Sequence, residues 1–277
     1  MKNLFLIVAL LGITNLHAKS IYSESISGLL TPESVVQAEN GDLYVSEINE
    51  FDIDGDGQIK RISTSGKVSV YAKGLDDPKG LALINGKLYV ADKTRILEVT
   101  GNDNWRVYAD ESAFPITPQF LNDLVADQYG NLYVSDSGDL SSGGAIYKIT
   151  KEGVVSTIVD SGNPNVLAPN GLWFEGRNNL LTVDFASGIL YRVNIGTGKM
   201  TKLAEGFGGG DGIIKTKTGK TYVSDWKNGY IYLSAAGTAR TVKGGFNSPA
   251  DIALSHDGEY ILIPVMKAGT LEFMKVK

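Results

Sequence analysis

Residues 132–136 read Leu-Tyr-Val-Ser-Asp, and this phrase recurs along the chain. A Gly-containing turn precedes it, and a short apolar strand opened by Pro or Gly precedes that turn. The clear copies begin at Leu43, Leu88, Leu132 and Thr221, and weaker copies occupy 180–184 and 260–264. A phrase that returns at roughly 40 to 48 residues is typical of repeat proteins, in which each copy is one structural unit.

Each repeat is predicted to contain four short strands. A third strand, such as Ile59-Lys60-Arg61-Ile62, follows the phrase, and a fourth, such as Val68-Ser69-Val70-Tyr71, follows that. Short strands joined by Gly-rich hairpins, without an amphipathic helix of useful length, favour propeller blades over a helical solenoid. The sequence therefore predicts an all-β, six-bladed β-propeller with four-stranded blades. An open array or another all-β sandwich is the alternative.

The two ends of the chain are predicted to meet in the last blade. That unit contains three strands and ends after Leu271-Glu272-Phe273-Met274, which would leave an exposed sheet edge. At the other end, Gly28-Leu29-Leu30-Thr31-Pro32 repeats the spacing of Gly74-Leu75-Asp76-Asp77-Pro78, the exit from the first blade. We therefore expect residues 21–28 to form the outer strand of the last blade and to close the ring.

The N-terminus has the order of a secretory signal peptide. A Lys at position 2 is followed by an apolar run from Leu4 to Ile13 and by Ala18 at the expected cleavage site. We expect residues 1–18 to be removed and residues 19–277 to form a single propeller domain. Export without any cysteine suits the periplasm of a bacterium or the medium outside it.

The charge of the chain excludes some classes of partner. A formal net charge of −5 leaves no basic excess for a phosphate backbone, so nucleic acid is not an expected partner. Membrane insertion is not expected, because the chain has no second long apolar run. The oligomeric state stays open.

Polar residues recur where the first strand of each blade begins. In a propeller this strand lines the central channel, so these positions face one another. Two carboxylates and two carboxamides form an oxygen-only set that suits a hard cation such as Ca²⁺, with other divalent cations open. The alternative is that Asn-Gly and Asp-Gly are ordinary turn dipeptides. The six positions are Glu33, Lys79, Asn122, Asn170, Asp211 and Ala250.

With these positions the chain resembles the senescence marker protein, gluconolactonase and luciferin-regenerating enzyme family, with paraoxonases as more distant relatives. In that family a metal is held by Glu, Asn, Asn and Asp from blades one, three, four and five, which match Glu33, Asn122, Asn170 and Asp211. The resemblance implies hydrolysis of a lactone or ester. A cation would polarise the carbonyl, and Asp211 would orient the attacking water or accept its proton.

Lys79, one of these six positions, and Phe120, two residues before Asn122, depart from the pattern of the relatives. Phe120 stands where sugar-lactonase members carry an Arg, so a polar sugar lactone is a less suitable substrate. Lys79 stands where paraoxonases place a catalytic His in a similar phrase. If its amine is neutral, Lys79 is a candidate general base; otherwise it is a charged partner of Glu33.

Two further features adjoin the predicted site. Asp52, Asp54 and Asp56 alternate as in the first half of a calcium loop, but the downstream Glu is missing, so a second calcium site and a plain acidic hairpin are both open. Phe185 and Trp226 follow the phrase in blades four and five. They are expected to wall a substrate pocket near Phe120, or else to pack against a neighbouring blade.

Two classes of function compete. The first is a metal-dependent lactone or ester hydrolase, and the second is a propeller that binds a ligand or protein without catalysis. A lyase with a His base is nearly excluded, because His17 leaves with the signal peptide. The remaining His256 lies in a Ser-His-Asp-Gly hairpin, for which we expect a surface turn.

Overall fold

A computed structural model describes residues 21–277, so the predicted signal peptide, residues 1–18, lies outside the described residues. Almost all regular structure is antiparallel β-sheet. Within the described range no helix is long and apolar enough to cross a membrane. The helical segments within residues 21–277 are three 3₁₀ turns, at Ile21–Ser23, Glu111–Ala113 and Met266–Ala268.

The first strand, β1 (Ile26–Ser27), is only two residues long. After it, the chain forms three sheets of four consecutive antiparallel strands. These are β2 (Pro32–Gln37), β3 (Leu43–Glu47), β4 (Gly57–Ile62) and β5 (Val68–Leu75); β6 (Pro78–Ile84), β7 (Lys87–Asp92), β8 (Arg95–Gly101) and β9 (Asn104–Ala109); and β10 (Leu121–Ala126), β11 (Leu132–Asp136), β12 (Ala145–Ile149) and β13 (Val155–Asp160).

An eight-stranded sheet follows, built from two further runs of four strands that a parallel pairing of Glu205 with Thr238 joins. The last sheet contains the final three strands of the chain. The strands are β14 (Pro169–Gly176), β15 (Asn179–Asp184), β16 (Ile189–Asn194) and β17 (Met200–Glu205); β18 (Gly210–Lys215), β19 (Thr221–Asp225), β20 (Tyr230–Ala235) and β21 (Thr238–Gly244); and β22 (Ala253–Leu254), β23 (Tyr260–Val265) and β24 (Thr270–Lys275).

The described residues thus show the predicted all-β, propeller-like arrangement of four-stranded sheets. The N-terminal strand β1 pairs with β24, with Ile26 opposite Leu271. It is shorter than the predicted outer strand, because residues 21–23 form a 3₁₀ turn instead. Tyr22 in that turn stacks on Tyr260, at 4.7 Å between ring centroids, so apolar contact continues where the strand pairing does not.

The sheets are held together by apolar residues on both of their faces. In β7, Leu88 and Val90 pack in a cluster with the first sheet, whereas Tyr89 and Ala91 pack in a cluster with the third. Alternate residues of a strand point to opposite faces, so a strand buried on both faces has to be apolar throughout. This explains why the phrase at residues 132–136 recurs as a nearly continuous apolar run.

The first strands of successive sheets contact one another. The pairs in contact are β2 with β6, β6 with β10, β10 with β14, β14 with β18, β18 with β22, and β22 with β2. The residues at which these strands begin are therefore brought near one another, and they carry the candidate site.

Candidate metal centre

A β-bulge begins each of five strands that we call inner strands: β2, β6, β10, β14 and β18. In the first sheet the pairing register shifts between Pro32 and Val35, so Glu33 and Ser34 stand outside the regular ladder. Bulges re-aim side chains near functional sites, and they leave backbone groups without a ladder partner. The same shift occurs at Pro78/Leu81, Leu121/Leu124, Pro169/Leu172 and Gly210/Ile213.

In three of these bulges, a backbone N–H without a ladder partner donates to a serine hydroxyl of the recurring phrase. Ser46 Oγ accepts from Ser34 N at 2.9 Å, and Ser135 Oγ accepts from Asp123 N at 3.0 Å. Ser224 Oγ accepts from the N–H of Gly212 at 2.8 Å. A buried amide without a partner is costly, so these serines stabilise the bulges that carry the candidate ligands.

The glycines directly after Lys79 and Asn170 let neighbouring inner strands approach closely. A Cβ on Gly171, beside Asn170, would lie 2.1 Å from the carbonyl oxygen of Asp211. A Cβ on Gly80, beside Lys79, would lie 2.5 Å from the carbonyl oxygen of Asn122. These Gly residues are therefore required by the packing of the inner strands.

Most of the second strands end in carboxylates, which accept hydrogen bonds from backbone N–H groups of the loops that lead into the bulges. Asp136, for example, accepts from the N–H groups of Gln119 and Phe120 at 3.0 and 2.8 Å, and from Gly138 N at 3.1 Å. The repeated acids thus cap turns. The other members of this set are Glu47, Asp92, Asp184 and Asp225.

One cavity of about 330 Å³ collects the predicted polar residues. Each is at most 5% exposed. The structure therefore brings together the four residues predicted as metal ligands and the lysine. The polar residues lining this cavity at its buried end are Glu33, Lys79, Asn122, Asn170 and Asp211.

Each predicted ligand has one buried oxygen atom without a hydrogen-bond partner. Within residues 21–277, six buried side-chain atoms lack such a partner, and two of these, Asp56 Oδ1 and Thr182 Oγ1, belong to residues that do not line the cavity. Because buried polar atoms are normally satisfied, unpaired oxygens in one cavity indicate a place that suits a cation or a hydrogen-bond donor. The four in the cavity are Glu33 Oε2, Asn122 Oδ1, Asn170 Oδ1 and Asp211 Oδ1.

The electrostatics of the cavity also fit a cation. Burial, together with the charge of Asp211, raises the pKa of Glu33 well above its usual value, although Lys79 opposes the rise. Burial and the charges of Asp123 and Asp225 raise the pKa of Asp211 likewise. A divalent cation would offset these like charges and would accept the unpaired oxygens.

The donor set is restricted to carboxylates and carboxamides. Residues 21–277 contain no group of three or more Asp, Glu, His or Cys side chains arranged to hold a metal ion. A cation in this cavity would thus depend on the two asparagines as well as on Glu33 and Asp211. All four donors are oxygens, which suits Ca²⁺ better than zinc or copper.

Lys79 lies within the cavity and is almost completely buried. Its Nζ donates to the carbonyl oxygen of Asp77 at 3.1 Å and lies 4.2 Å from the centroid of the Phe120 ring. Burial lowers the pKa of Lys79, whereas the charges of Asp77 and Glu33 oppose the change. In the described part of the chain, no hydrogen bond or ion pair joins Lys79 to Glu33 directly.

The walls of the cavity are largely apolar. Phe120, Phe185 and Trp226 all line it. The ring centroids of Phe185 and Trp226 lie 6.2 Å apart, and Trp226 Nε1 donates to the sulfur of Met266. The aromatic residues therefore pack on their neighbours and also line the cavity.

Sequence reasoning missed part of this wall. Ile48 and Met266 occupy the position directly after the second strand, which is also the position of Phe185 and Trp226. That shared position was the available signal, but the residues differ in type and did not stand out as a set. The missed wall residues are Ile48, Phe51, Leu140 and Met266, and Asp52 also lines the cavity.

The three carboxylates of the acidic loop are not brought together, so the predicted second calcium site is not supported by their arrangement. Asp54 pairs with Lys93 at 2.6 Å, and Asp56 Oδ2 accepts from Asn49 Nδ2 at 2.9 Å. Asp52 contributes its backbone N–H to Asp77 Oδ1. The loop is held by separate contacts, some from the neighbouring sheet, which compete with a shared cation.

His256 lies in an exposed hairpin, as expected for a surface turn. Its backbone N–H donates to Gln37 Oε1 at 2.9 Å, and its side chain borders a second cavity that does not include the four candidate ligands. Because His256 does not line the first cavity, it is not placed as a base for a substrate there.

Comparison with known proteins agrees with this architecture. Residues 31–258 match the family model described as SMP-30/Gluconolactonase/LRE-like region. No curated protein sequence is significantly similar to the chain.

Solved structures with little sequence identity share the fold. A gluconolactonase from Xanthomonas campestris is 13% identical, with a TM-score of 0.74 over 93% of this chain and 89% of that one. Regucalcin from Agrobacterium tumefaciens, described as a calcium-binding protein, is 17% identical, with a TM-score of 0.72 over 91% and 92%. A chain of a nidogen/laminin complex is 22% identical, with a TM-score of 0.62 over 76% and 79%.

Proposed function

This chain belongs to the SMP-30/Gluconolactonase/LRE-like family, and from that premise we propose that it is a divalent-cation-dependent hydrolase of a lactone or ester. Calcium is the cation that the donor set suits best. The observation that carries the proposal is the convergence of four unpaired buried oxygens in one cavity. Regucalcin and gluconolactonase among the structural neighbours support the same conclusion.

Residues of the cavity would have two roles, which are to bind the cation and to transfer a proton. Glu33, Asn122, Asn170 and Asp211 would hold the cation through their unpaired oxygens. When bound, the cation would polarise the substrate carbonyl and lower the pKa of a water molecule. Asp211, as a carboxylate at the buried end of the cavity, would orient that water and accept its proton. Lys79 is the second candidate for proton transfer.

The cavity favours a small substrate with apolar parts. Its volume of about 330 Å³ is at the lower end of the range for small-molecule sites. Aromatic walls from Phe120, Phe185 and Trp226 would bury an alkyl or aromatic group and exclude water. Because Phe120 cannot form the hydrogen bonds that a polyhydroxylated ring requires, a polar sugar lactone suits this site less well.

We also propose that the sheets form a closed ring of six blades. The proposal is supported by the pairing of β1 with β24 and by the contact of β22 with β2. Residues 19–277 would then be one domain, exported to the periplasm or beyond after loss of residues 1–18. Mass spectrometry of the exported protein tests the cleavage site. A mature chain that begins elsewhere than residue 19 would contradict it.

A lactone and ester panel, assayed with calcium and with chelator, tests the proposed activity. We expect hydrolysis of apolar lactones that chelator abolishes and calcium restores. Asp211→Asn keeps the size of the side chain, and we expect it to lower turnover by about a hundredfold or more while the fold is retained. Asp103→Asn, at an exposed residue whose side chain pairs with Lys73, is the matched control.

The outcomes separate catalysis from binding. Calcium binding at full stoichiometry without hydrolysis of any panel member would favour the alternative, a propeller that binds a ligand or protein without catalysis. Hydrolysis that Asp211→Asn leaves within a few-fold of the unmodified protein would move the catalytic role to another residue.

A further inference from the structure

Ser137 is a buried polar residue at a position that is apolar in four of the five equivalent places and is Lys93 in the fifth. It directly follows Asp136 and is fully buried. Its side chain does not line the cavity, yet it contacts a residue that does. The residues at the equivalent positions of other sheets are Ile48, Lys93, Phe185, Trp226 and Met266.

The hydrogen bonds of Ser137 determine how the Asn122 amide is oriented. Asn122 Nδ2 donates to Ser137 Oγ at 3.1 Å, and Ser137 Oγ donates to the carbonyl oxygen of Pro169 at 2.9 Å. A carbonyl oxygen only accepts, so it takes the single hydroxyl proton of Ser137. The hydroxyl can then only accept from Asn122, and the amide must turn its NH₂ toward Ser137.

This orientation leaves Asn122 Oδ1 as the atom that is free for a cation. That oxygen is buried and has no hydrogen-bond partner within residues 21–277. If the amide were reversed, its N–H groups would take the place of the oxygen, and a cation would meet hydrogen-bond donors instead of a ligand. Pro169, the other partner of Ser137, is the residue directly before Asn170.

We propose that Ser137 is a positioning residue for the cation: it locks the Asn122 carboxamide with its oxygen toward the site and ties it to the strand that carries Asn170. The inference rests on the proposed metal centre. Ser137 touches neither the cation nor the substrate and acts through Asn122. Hydrogen-bond partners of metal ligands commonly contribute about 10- to 100-fold in metal affinity.

A double-mutant cycle followed by calcium calorimetry tests the inference. The proteins compared are the unmodified chain, Ser137→Ala, Asn122→Asp and the double variant. We expect Ser137→Ala to weaken calcium binding by about 10- to 100-fold. In the Asn122→Asp background we expect a loss of about threefold or less, because a carboxylate presents an oxygen in either orientation.

Ser255→Ala is the matched control, since Ser255 is 2% exposed and its hydroxyl bonds to Asp257 in a hairpin away from the cavity. This variant should retain the calcium affinity of the unmodified protein. If Ser137→Ala does not fold, Ser137→Cys replaces it in the cycle, with the same expected difference between the two backgrounds.

Each outcome bears on one claim. If the unmodified protein binds calcium and Ser137→Ala binds it within about twofold, the positioning role is wrong and the metal centre stands. An equal loss in both backgrounds also overturns the role, because Ser137 would then act through packing alone. If the unmodified protein binds no divalent cation, the proposed function fails, and the inference fails with it.

Discussion

Glu33→Gln should have opposite effects on stability with and without calcium. In chelator, the substitution removes one of two carboxylates buried in the same cavity, where burial and the charge of Asp211 disfavour the ionised form of Glu33. Active sites commonly retain such destabilising arrangements. We expect the free energy of unfolding to rise by about 1 kcal/mol, which raises the melting temperature by roughly 2–4 °C for a domain of this size.

In saturating calcium we expect the unmodified protein to be more stable than Glu33→Gln. A cation present at about 100 times its dissociation constant stabilises the unmodified protein by about 2.7 kcal/mol, or roughly 5–10 °C. Glu33→Gln keeps an oxygen but loses the charge, so most of this increment should disappear. The variant should therefore melt above the unmodified protein in chelator and below it in saturating calcium.

Thermal melts of both proteins in chelator and in a calcium series measure the effect, and Glu98→Gln is the matched control. Glu98 is 4% exposed; burial alone would raise its pKa, but hydrogen bonds from Arg106, Lys87 and Tyr89 hold that pKa below its usual value. Glu98→Gln should lower stability equally in both conditions. The reasoning is refuted if Glu33→Gln behaves in the same way as this control.

Two further predictions concern charges inside and outside the cavity. Lys79→Met removes an ammonium group near the cation, so calcium affinity measured by calorimetry should rise by up to about tenfold, and weaker binding would contradict the account. Glu175 accepts from Arg192 and Lys215, and these contacts lower its pKa to about 2 although burial opposes the shift. A lowered pKa stabilises the folded state above the unfolded-state value near 4.3, and this stabilisation is lost as the pH falls toward about 2. Glu175→Gln should therefore cost about 1–2 kcal/mol at pH 7 in denaturant unfolding and almost nothing near pH 2, whereas a cost independent of pH would contradict this.

The architecture was predictable from sequence because its cause is local. The second strand of each sheet is buried on both faces, so the phrase at residues 132–136 has to recur almost unchanged. The prediction of the four candidate ligands rests on a related regularity. They stand at a constant distance before that phrase, and this spacing alone predicts that Glu33, Asn122, Asn170 and Asp211 lie at one level.

The features that sequence reasoning missed depend on contacts between sheets. Lys93 and Asp77 engage the acidic loop from the neighbouring sheet, and nothing within residues 52–56 indicates those partners. The proposed role of Ser137 also depends on a contact between sheets, because its hydroxyl donates to Pro169 in the next sheet. The outer N-terminal strand was overestimated because turn spacing indicates where a strand ends but not how far its pairing extends.

The central claim is that one divalent cation sits among the four unpaired oxygens. The most direct test is anomalous scattering from crystals grown with calcium. The account predicts a single strong peak bound by Glu33, Asn122, Asn170 and Asp211 at about 2.3–2.6 Å from their oxygens. A cavity without such a peak at saturating calcium, or a peak found only at the loop of residues 52–56, would contradict it.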